Sequence, residues 1–246
     1  MAGLEGKKAL VTGGSRGIGA QIARQLAAEG ADVAVTYRNG ESAAAAVVGD
    51  IRGLGRRAAA IRADSADAAA VVSAVQRAAD ELGGLDVLVN NAGIFPSKPF
   101  EEFTLDEVDE ALNVHARAAF VAAQAALKHM GAGGRIIGIG TNLTDHAPFG
   151  GLSLYNLSKS ALNGFTKALA RELGPRGITV NLVQPGSTDT DMNPADSDHA
   201  PAQVGLTALG RFGSTADIAA AVAFLAGESG RSITGTVLTV DSGTNA

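Results

Sequence analysis

The sequence predicts an α/β fold in which a doubly wound, seven-stranded parallel sheet carries helices on both faces. Three observations support this prediction. Seven short apolar runs rich in β-branched residues occur along the chain, helical stretches separate them, and the runs are almost uninterrupted in apolar character. Such runs are typical of strands that are covered on both faces. Their alternation with helices favours right-handed strand–helix–strand units within one domain spanning residues 1–246.

The strands and the first helices follow from the spacing of apolar side chains. The predicted strands are Ala9–Thr12, Val33–Thr36, Ala58–Arg62, Val87–Asn90, Arg135–Gly140, Thr179–Gln184 and Val237–Val240. Helical spacing of apolar residues is seen at Ile18, Ile22 and Leu26, at Val47, Val48, Ile51 and Leu54, and at Val71, Val72 and Val75.

Capping residues mark the later helices. Capping boxes are predicted at Thr104–Glu107 and Ser214–Asp217, the first of which opens a helix running towards Met130. Another helix, Leu154–Leu173, is expected to end at Gly174–Pro175.

One long segment, Gly186–Gly213, interrupts the alternation because it is rich in proline and aspartate and has no long apolar face. Loops of this length in compact domains are usually functional lids or disordered segments. The position of this segment after a late strand favours a substrate lid at about residues 187–213.

The composition argues against several classes of protein. A formal net charge of −5 disfavours a nucleic-acid partner, and no apolar run approaches the length of a membrane span. There is no cysteine, and the four histidines lack ligand spacing, so no metal site is predicted. They are His115, His129, His146 and His199. Residues 1–8 have no long apolar stretch, so we expect no signal peptide and a cytoplasmic location.

A glycine-rich turn, T-G-G-S-R-G-I-G, follows the first strand and opens a helix. Glycine allows the backbone to approach a pyrophosphate closely, and a helix N-terminus supplies free N–H groups. The candidate phosphate-binding residues are Gly13, Ser15, Arg16, Gly17, Ile18 and Gly19. The glycine spacing differs from G-x-G-x-x-G, so the strand–turn–helix context carries this prediction.

The end of the second strand indicates which dinucleotide binds. Units that prefer NAD commonly place a carboxylate there for the ribose hydroxyls, whereas this strand ends Tyr37-Arg38-Asn39. Arg38 and Arg16 offer cationic groups for a 2′-phosphate, which favours NADP(H) over NAD(H). The alternative is that both arginines are solvated surface charges.

Tyr155 and Lys159 stand four residues apart and therefore share one helix face. A neighbouring ammonium is expected to lower the pKa of the phenol, which could then exchange a proton with a carbonyl or alcohol oxygen. Such a pair is also common on ordinary surfaces, so its meaning depends on the other motifs.

Taken together, the motifs resemble the short-chain dehydrogenase/reductase family, including its 3-oxoacyl-carrier-protein reductase-like members. They are, in the family's order, Thr12–Gly19, Asn90–Gly93, Asn113, Tyr155 with Lys159, and Pro185–Gly186, and the resemblance covers essentially the whole chain. It implies a Rossmann fold and hydride transfer between NAD(P) and a small carbonyl or alcohol substrate. Because family members are commonly homotetramers, we expect a homo-oligomer, either a tetramer or a dimer.

The resemblance also implies roles for single residues. Tyr155 would be the acid/base, Lys159 would bind the nicotinamide ribose and lower the pKa of Tyr155, and Asn113 would hold a water in the proton relay. The other expected cofactor contacts are Tyr37, Arg38, Asp64, Ser65, Asn91, Ala92, Gly93, Pro185, Gly186, Thr188 and Thr190. Among these, Asp64 would receive the adenine amino group unless it caps the next helix, and Thr190 would contact the carboxamide unless it starts a turn.

The sequence departs from the family at the serine that usually lies thirteen residues before the tyrosine. Thr141 and Asn142 are the candidates for this role, and we prefer Thr141 because it keeps a hydroxyl. The substitution leaves an alternative open, namely a dinucleotide-binding regulatory protein with little or no turnover. A sugar-nucleotide epimerase is disfavoured, since those relatives tend to have longer chains and differently spaced glycines.

Overall fold

The computed structural model describes residues 3–246, and Met1 and Ala2 lie outside the described residues. Its strands are β1 Lys8–Val11, β2 Asp32–Tyr37, β3 Ala58–Arg62, β4 Val87–Asn90, β5 Arg135–Ile139, β6 Thr179–Pro185 and β7 Val237–Val240. They pair in parallel in the order β3-β2-β1-β4-β5-β6-β7. Each predicted strand is present, with ends displaced by one residue at most.

Helices cover both faces of this sheet, as predicted. They are α1 Gly17–Ala28, α2 Glu41–Gly53, α3 Ala68–Leu82, α4 Leu105–Leu112, α5 Ala118–Ala126, α6 Ser153–Leu173, α7 Ala200–Gly205 and α8 Thr215–Ala226. One apolar layer joins α1, α2 and α8 to one face, and a second joins α3, α5 and α6 to the other. Both predicted capping boxes are formed, at the start of α4 and at the start of α8. No helix among residues 3–246 combines the length and the apolar character that a membrane span requires.

The single helix predicted from Thr104 towards Met130 is wrong in one respect. A π-helical segment, Asn113–Arg117, separates α4 from α5, and the N–H of Ala118 donates to the carbonyl of Asn113 five residues earlier. A capping box marks only where a helix begins, and backbone angles at Leu112 and Ala118 are ordinary helical values, so the sequence pattern does not show the change of register. Such π-helical segments are frequent at functional sites.

The segment predicted as a lid is also more regular than expected, since it contains the short helix α7. Its two ends are held together, because the N–H of Gly213 donates to the carbonyl of Ser187 at 2.9 Å and the N–H of Asp189 donates to the carbonyl of Gly213 at 3.1 Å. Within the segment, the side-chain amides of Asn193 and Gln203 bond reciprocally at 2.9 and 3.0 Å. The segment is thus a compact loop whose ends lie close together.

Candidate functional site

The predicted site residues meet at the carboxyl ends of the strands, where β1 and β4 lie side by side although their connections lead to opposite directions along the sheet. Open parallel sheets bind ligands in the crevice at such a switch point. The residues gathered at this edge are Gly13–Gly19 after β1, Tyr37 and Arg38 at β2, Asp64 and Ser65 after β3, Asn91–Gly93 after β4, Thr141 after β5, and Pro185 and Gly186 at β6.

The glycine turn is held in place by hydrogen bonds to β2 and to the loop after β4. The Thr12 hydroxyl accepts the N–H groups of Asn91 and Ala92 at 3.0 and 3.1 Å, and the Asn91 amide donates to the carbonyls of Thr12 and Gly13 at 2.9 and 3.1 Å. The N–H of Gly13 donates to the Thr36 hydroxyl at 3.0 Å. The phosphate loop is thus a rigid part of the sheet edge.

Gly13 and Gly19 in this turn have no room for a side chain. Gly13 has a φ of +63°, and a Cβ there would lie 2.9 Å from the Cα of Ala92. A Cβ on Gly19 would collide with the carbonyl oxygen of Gly13 and the amide nitrogen of Asn91. These positions therefore require glycine for the packing of the loop itself.

The N-terminus of α1 has the chemistry that an anion requires. Its N-cap residue, Arg16, makes no side-chain capping bond, and the first turn contains no acidic residue. Free N–H groups and the positive end of the helix dipole therefore remain available for a phosphate. Arg16 itself is exposed beside this turn.

Arg38 lies half-exposed after β2, with its guanidinium 3.5 Å from a carboxylate oxygen of Glu110. Exposed ion pairs of this length are weak, so the guanidinium can exchange its partner for a ligand phosphate. Tyr37, the residue before it, is buried at the strand end. After β3, Asp64 accepts the N–H of Ala66 at 2.9 Å in a local turn.

The alternative role of Asp64 as a helix cap does not match the structure, because Asp67 is the N-cap of α3. The outcome for Thr190 is different. Its hydroxyl accepts the N–H of Asn193 at 3.2 Å, so it does start a turn, and a Cβ on Gly17 would approach its methyl group at 3.6 Å. Thr188 is buried, and its hydroxyl donates to the carbonyl of Gly186 at 3.0 Å.

Tyr155 lies in the first turns of α6 and faces Thr141 and Phe95. Its ring meets the ring of Phe95 edge to face, with the centroids 4.7 Å apart. Burial raises the pKa of Tyr155 to about 12, and a hydrogen bond from the Thr141 hydroxyl partly opposes this rise. The expectation that Lys159 lowers the pKa of Tyr155 is therefore wrong for the protein alone.

The ammonium of Lys159 is bonded to a main-chain carbonyl and not to the phenol of Tyr155. This ammonium is buried and donates to the carbonyl of Ile139 at 2.8 Å. Burial lowers the pKa of Lys159 to about 8, because a charged amine loses hydration there. Beside it lies a cavity of about 20 Å³, large enough for one water molecule. The polar residues Thr12, Ser65, Asn90 and His115 are among those that line it.

Thr141 and Asn142 point to different partners. The Thr141 hydroxyl lies beside the phenol of Tyr155 and accepts the N–H of Leu143 at 3.3 Å. The side-chain amide of Asn142 donates to the carboxylate of Asp241 at 3.3 Å, and the main-chain carbonyl of Asn142 accepts the side-chain amide of Asn245 at 2.8 Å. Asn142 thus belongs to a contact with the C-terminal turn, and the structure favours Thr141 beside the phenol.

The residue that meets Tyr155 and Lys159 from the π-helical segment is His115, which the sequence analysis did not include in the site. Its ring is buried and lies edge to face with Tyr155, with the centroids 5.8 Å apart. Asn113 stands at the first position of the segment, and its role as the holder of a relay water stays a prediction. Among residues 3–246, no cluster of histidines and carboxylates could hold a metal ion.

Residues 13–245 match the family model described as enoyl-(acyl carrier protein) reductase. A curated relative, the cyclic-di-GMP-binding biofilm dispersal mediator protein of Escherichia coli K12, is 40% identical over 98% of each chain. Two solved structures are closely similar. A short chain dehydrogenase from Burkholderia cenocepacia J2315 in complex with NADP has a TM-score of 0.98 and 60% identity over 99% of each chain. A blue fluorescent protein from a metagenomic library in complex with NADPH has a TM-score of 0.97 and 54% identity, over 99% of this chain and 100% of that one.

Proposed function

The chain belongs to the short-chain dehydrogenase/reductase family, and from that premise we propose that it is an NADP(H)-dependent oxidoreductase that reduces a small carbonyl compound with Tyr155 as the proton donor. The observation that carries the proposal is the placement of Thr141 and Tyr155 side by side, near the buried ammonium of Lys159. These three side chains lie at the same sheet edge as the phosphate loop.

The cofactor fits the residues that surround the switch point. The uncapped N-terminus of α1 would hold the pyrophosphate, and Arg16 and Arg38 would flank the 2′-phosphate. The complexes of the Burkholderia and metagenomic relatives, with NADP and NADPH, support this preference. When bound, the nicotinamide supplies a hydride to the carbonyl carbon.

The protein's own groups act on the carbonyl oxygen. A phenol with a pKa near 12 keeps its proton at neutral pH, so Tyr155 is ready to donate from its Oη to an oxygen that gains negative charge. The Thr141 hydroxyl can donate to the same oxygen and hold it beside the phenol. Lys159 holds its positive charge at the same end of the site, where its ammonium donates to the carbonyl of Ile139.

Replacing Arg38 with alanine is expected to raise the KM for NADPH by about 10- to 100-fold, because hydrogen bonds to charged groups are worth about 1.5–3 kcal/mol. The KM for NADH, which lacks the 2′-phosphate, should change little. Arg24→Ala is the matched control, since Arg24 is a partly exposed arginine on α1 that pairs with Asp50 at 2.8 Å. Initial rates with both cofactors measure the effect. An equal loss with NADH would contradict the role of Arg38.

Replacing Thr141 with valine removes the hydroxyl and keeps the shape of the side chain. We expect kcat for ketone reduction to fall by about 100-fold, as for the loss of one donor to a developing oxyanion. Thr141→Ser should retain activity or increase it. Steady-state kinetics on the three proteins measure this. If Thr141→Val stayed fully active, the orienting role would pass to another residue, and Asn142 would be the next candidate.

A second candidate function is dinucleotide-dependent regulation with little turnover, and the similarity to the cyclic-di-GMP-binding protein of E. coli is the observation that favours it. A panel of ketones and alcohols, assayed with NADPH and NADH at the nicotinamide absorbance, separates the two. Turnover of any ketone supports the reductase. NADPH binding without turnover of any substrate, together with calorimetric binding of cyclic di-GMP, would support the regulator instead. The homo-oligomer and the cytoplasmic location stay predictions.

A further inference from the structure

Resting on the proposed function, we infer that His115 is a positioning residue for Tyr155, which acts through Ser158 and does not itself transfer a proton. The inference begins with two hydrogen bonds in series. Nδ1 of His115 lies 2.8 Å from the Ser158 hydroxyl, and this hydroxyl donates to the main-chain carbonyl of Tyr155 at 2.9 Å. The imidazole is therefore linked to the backbone of the proton donor.

The other side of the ring fixes the tautomer. Nε2 lies 3.0 Å from the main-chain nitrogen of Ile94 and accepts its N–H. Because the Ser158 hydroxyl gives its only hydrogen to Tyr155, Nδ1 of His115 must carry the proton. Both ring nitrogens are therefore engaged in a neutral imidazole, and neither is free to pass a proton to substrate.

The position of the ring explains why it stays neutral. Tyr155 and Lys159, both from α6, are the titratable groups that face it, and the loop after β4 approaches it at Gly93, where an added Cβ would lie 3.2 Å from Nε2 and 3.4 Å from the Lys159 ammonium. Burial and this ammonium lower the pKa of His115 to about 3. A proton on Nε2 would also place two donors, Nε2–H and the N–H of Ile94, against each other. The ring thus connects the cofactor loop to α6 without adding a charge.

The π-helical segment is the reason why this side chain reaches the site. His115 is its central residue and is buried, whereas Arg117, two residues later, is exposed and donates to the carbonyl of Ala66 at 2.6 Å. The segment therefore directs its imidazole towards α6 and its guanidinium towards the loop before α3.

A double-mutant cycle tests the connection. His115→Gln can still accept the N–H of Ile94 but cannot hold Ser158 as the ring does, and Ser158→Ala removes the link alone. We expect each substitution to lower kcat about tenfold and to change the KM for the ketone by no more than about threefold. The double variant should have a kcat no lower than that of the less active single variant, because effects within one network are not additive. His129→Gln and Ser160→Ala, both outside the site, are the matched controls. Multiplicative effects in the double variant would overturn the inference.

Two readouts go beyond a merely structural role. Between pH 5.5 and 7.5, the profile of kcat against pH should have the same shape in the wild type and in His115→Gln. A step in the wild-type profile that is lost in His115→Gln would instead show that His115 acts as an acid or base. The second readout needs no turnover. The chain has two tyrosines and no tryptophan, so the Tyr155 ring signal in ¹³C-tyrosine NMR is identified by its loss in Tyr155→Phe.

That signal should shift in Ser158→Ala, which keeps the imidazole and its ring current beside Tyr155, and stay in place in the two controls. If it shifts while no ketone is reduced, the proposed reductase fails and the positioning role stands. If it stays in place in folded Ser158→Ala, the positioning role is wrong whatever the activity. Thermal unfolding curves identify any variant that fails to fold.

Discussion

Replacing Tyr155 with phenylalanine is expected to lower kcat for ketone reduction by about a thousandfold, within the range measured for the loss of a general acid. The ring and its edge contact with Phe95 remain, and only the Oη that donates the proton is lost. NADPH binding should stay within about twofold, because the pyrophosphate and 2′-phosphate contacts lie elsewhere. Steady-state kinetics and a fluorescence titration with NADPH measure the two quantities.

Ser160→Ala is the control on the same helix, since Ser160 is exposed and lies outside the site. A rate for Tyr155→Phe equal to that of the wild type would exclude Tyr155 as the proton donor. A fall in rate accompanied by loss of NADPH binding would instead indicate a cofactor-binding role. The proposed mechanism therefore requires that Tyr155→Phe lose ketone reduction and keep NADPH binding.

Replacing Gly19 with alanine is expected to weaken NADPH binding by about 10- to 100-fold and to lower the free energy of unfolding by about 1–3 kcal/mol, as overpacking does. The added Cβ would collide with the carbonyl of Gly13 and the amide of Asn91. Gly13 cannot move away freely, because its N–H is bonded to Thr36 in β2. The collision therefore displaces the phosphate loop itself.

Gly49→Ala is the matched control for this change. Gly49 lies in the exposed middle of α2, where an added Cβ would meet nothing within 4 Å. Alanine there should raise the free energy of unfolding by up to about 1 kcal/mol and leave NADPH binding unchanged. Urea unfolding and calorimetric titration with NADPH measure both effects. Similar affinities for the two alanine variants would contradict a packed phosphate loop.

The fold could be predicted largely from the sequence because its signals are local. A strand buried on both faces, such as Val87–Asn90, must be apolar at nearly every position, and a capping box such as Ser214–Asp217 satisfies its own helix end. The π-helical segment and α7 escaped prediction for a physical reason. The first depends on how a helix packs after it has begun, and the second is a single short turn without an apolar face.

The site shows the same division. Glycines and the Tyr155–Lys159 pair are visible because their roles depend on residues close in sequence. The contact of Asn142 with Asp241 joins residues 99 positions apart, and that of His115 with Ser158 joins residues 43 apart. No spacing of residues along the chain predicts such long-range contacts. The predicted lowering of the Tyr155 pKa was wrong for a related reason. The burial of Tyr155 and the bond of Lys159 to the Ile139 carbonyl both depend on the tertiary structure.

The π-helical segment also restricts which changes in chain length this protein can tolerate. The wide turn takes up one extra residue, so removing one residue from Asn113–Arg117 would restore regular helical bonding and leave α4 and α5 nearly in their present orientation. The buried alanines of α5 and Ala111 of α4 would therefore keep their places. The remaining side chains of the segment would be redistributed about the helix axis, so His115 and Arg117 could not both keep their present contacts. A one-residue deletion would thus break a connection to α6 or to the loop before α3 while the core stayed intact.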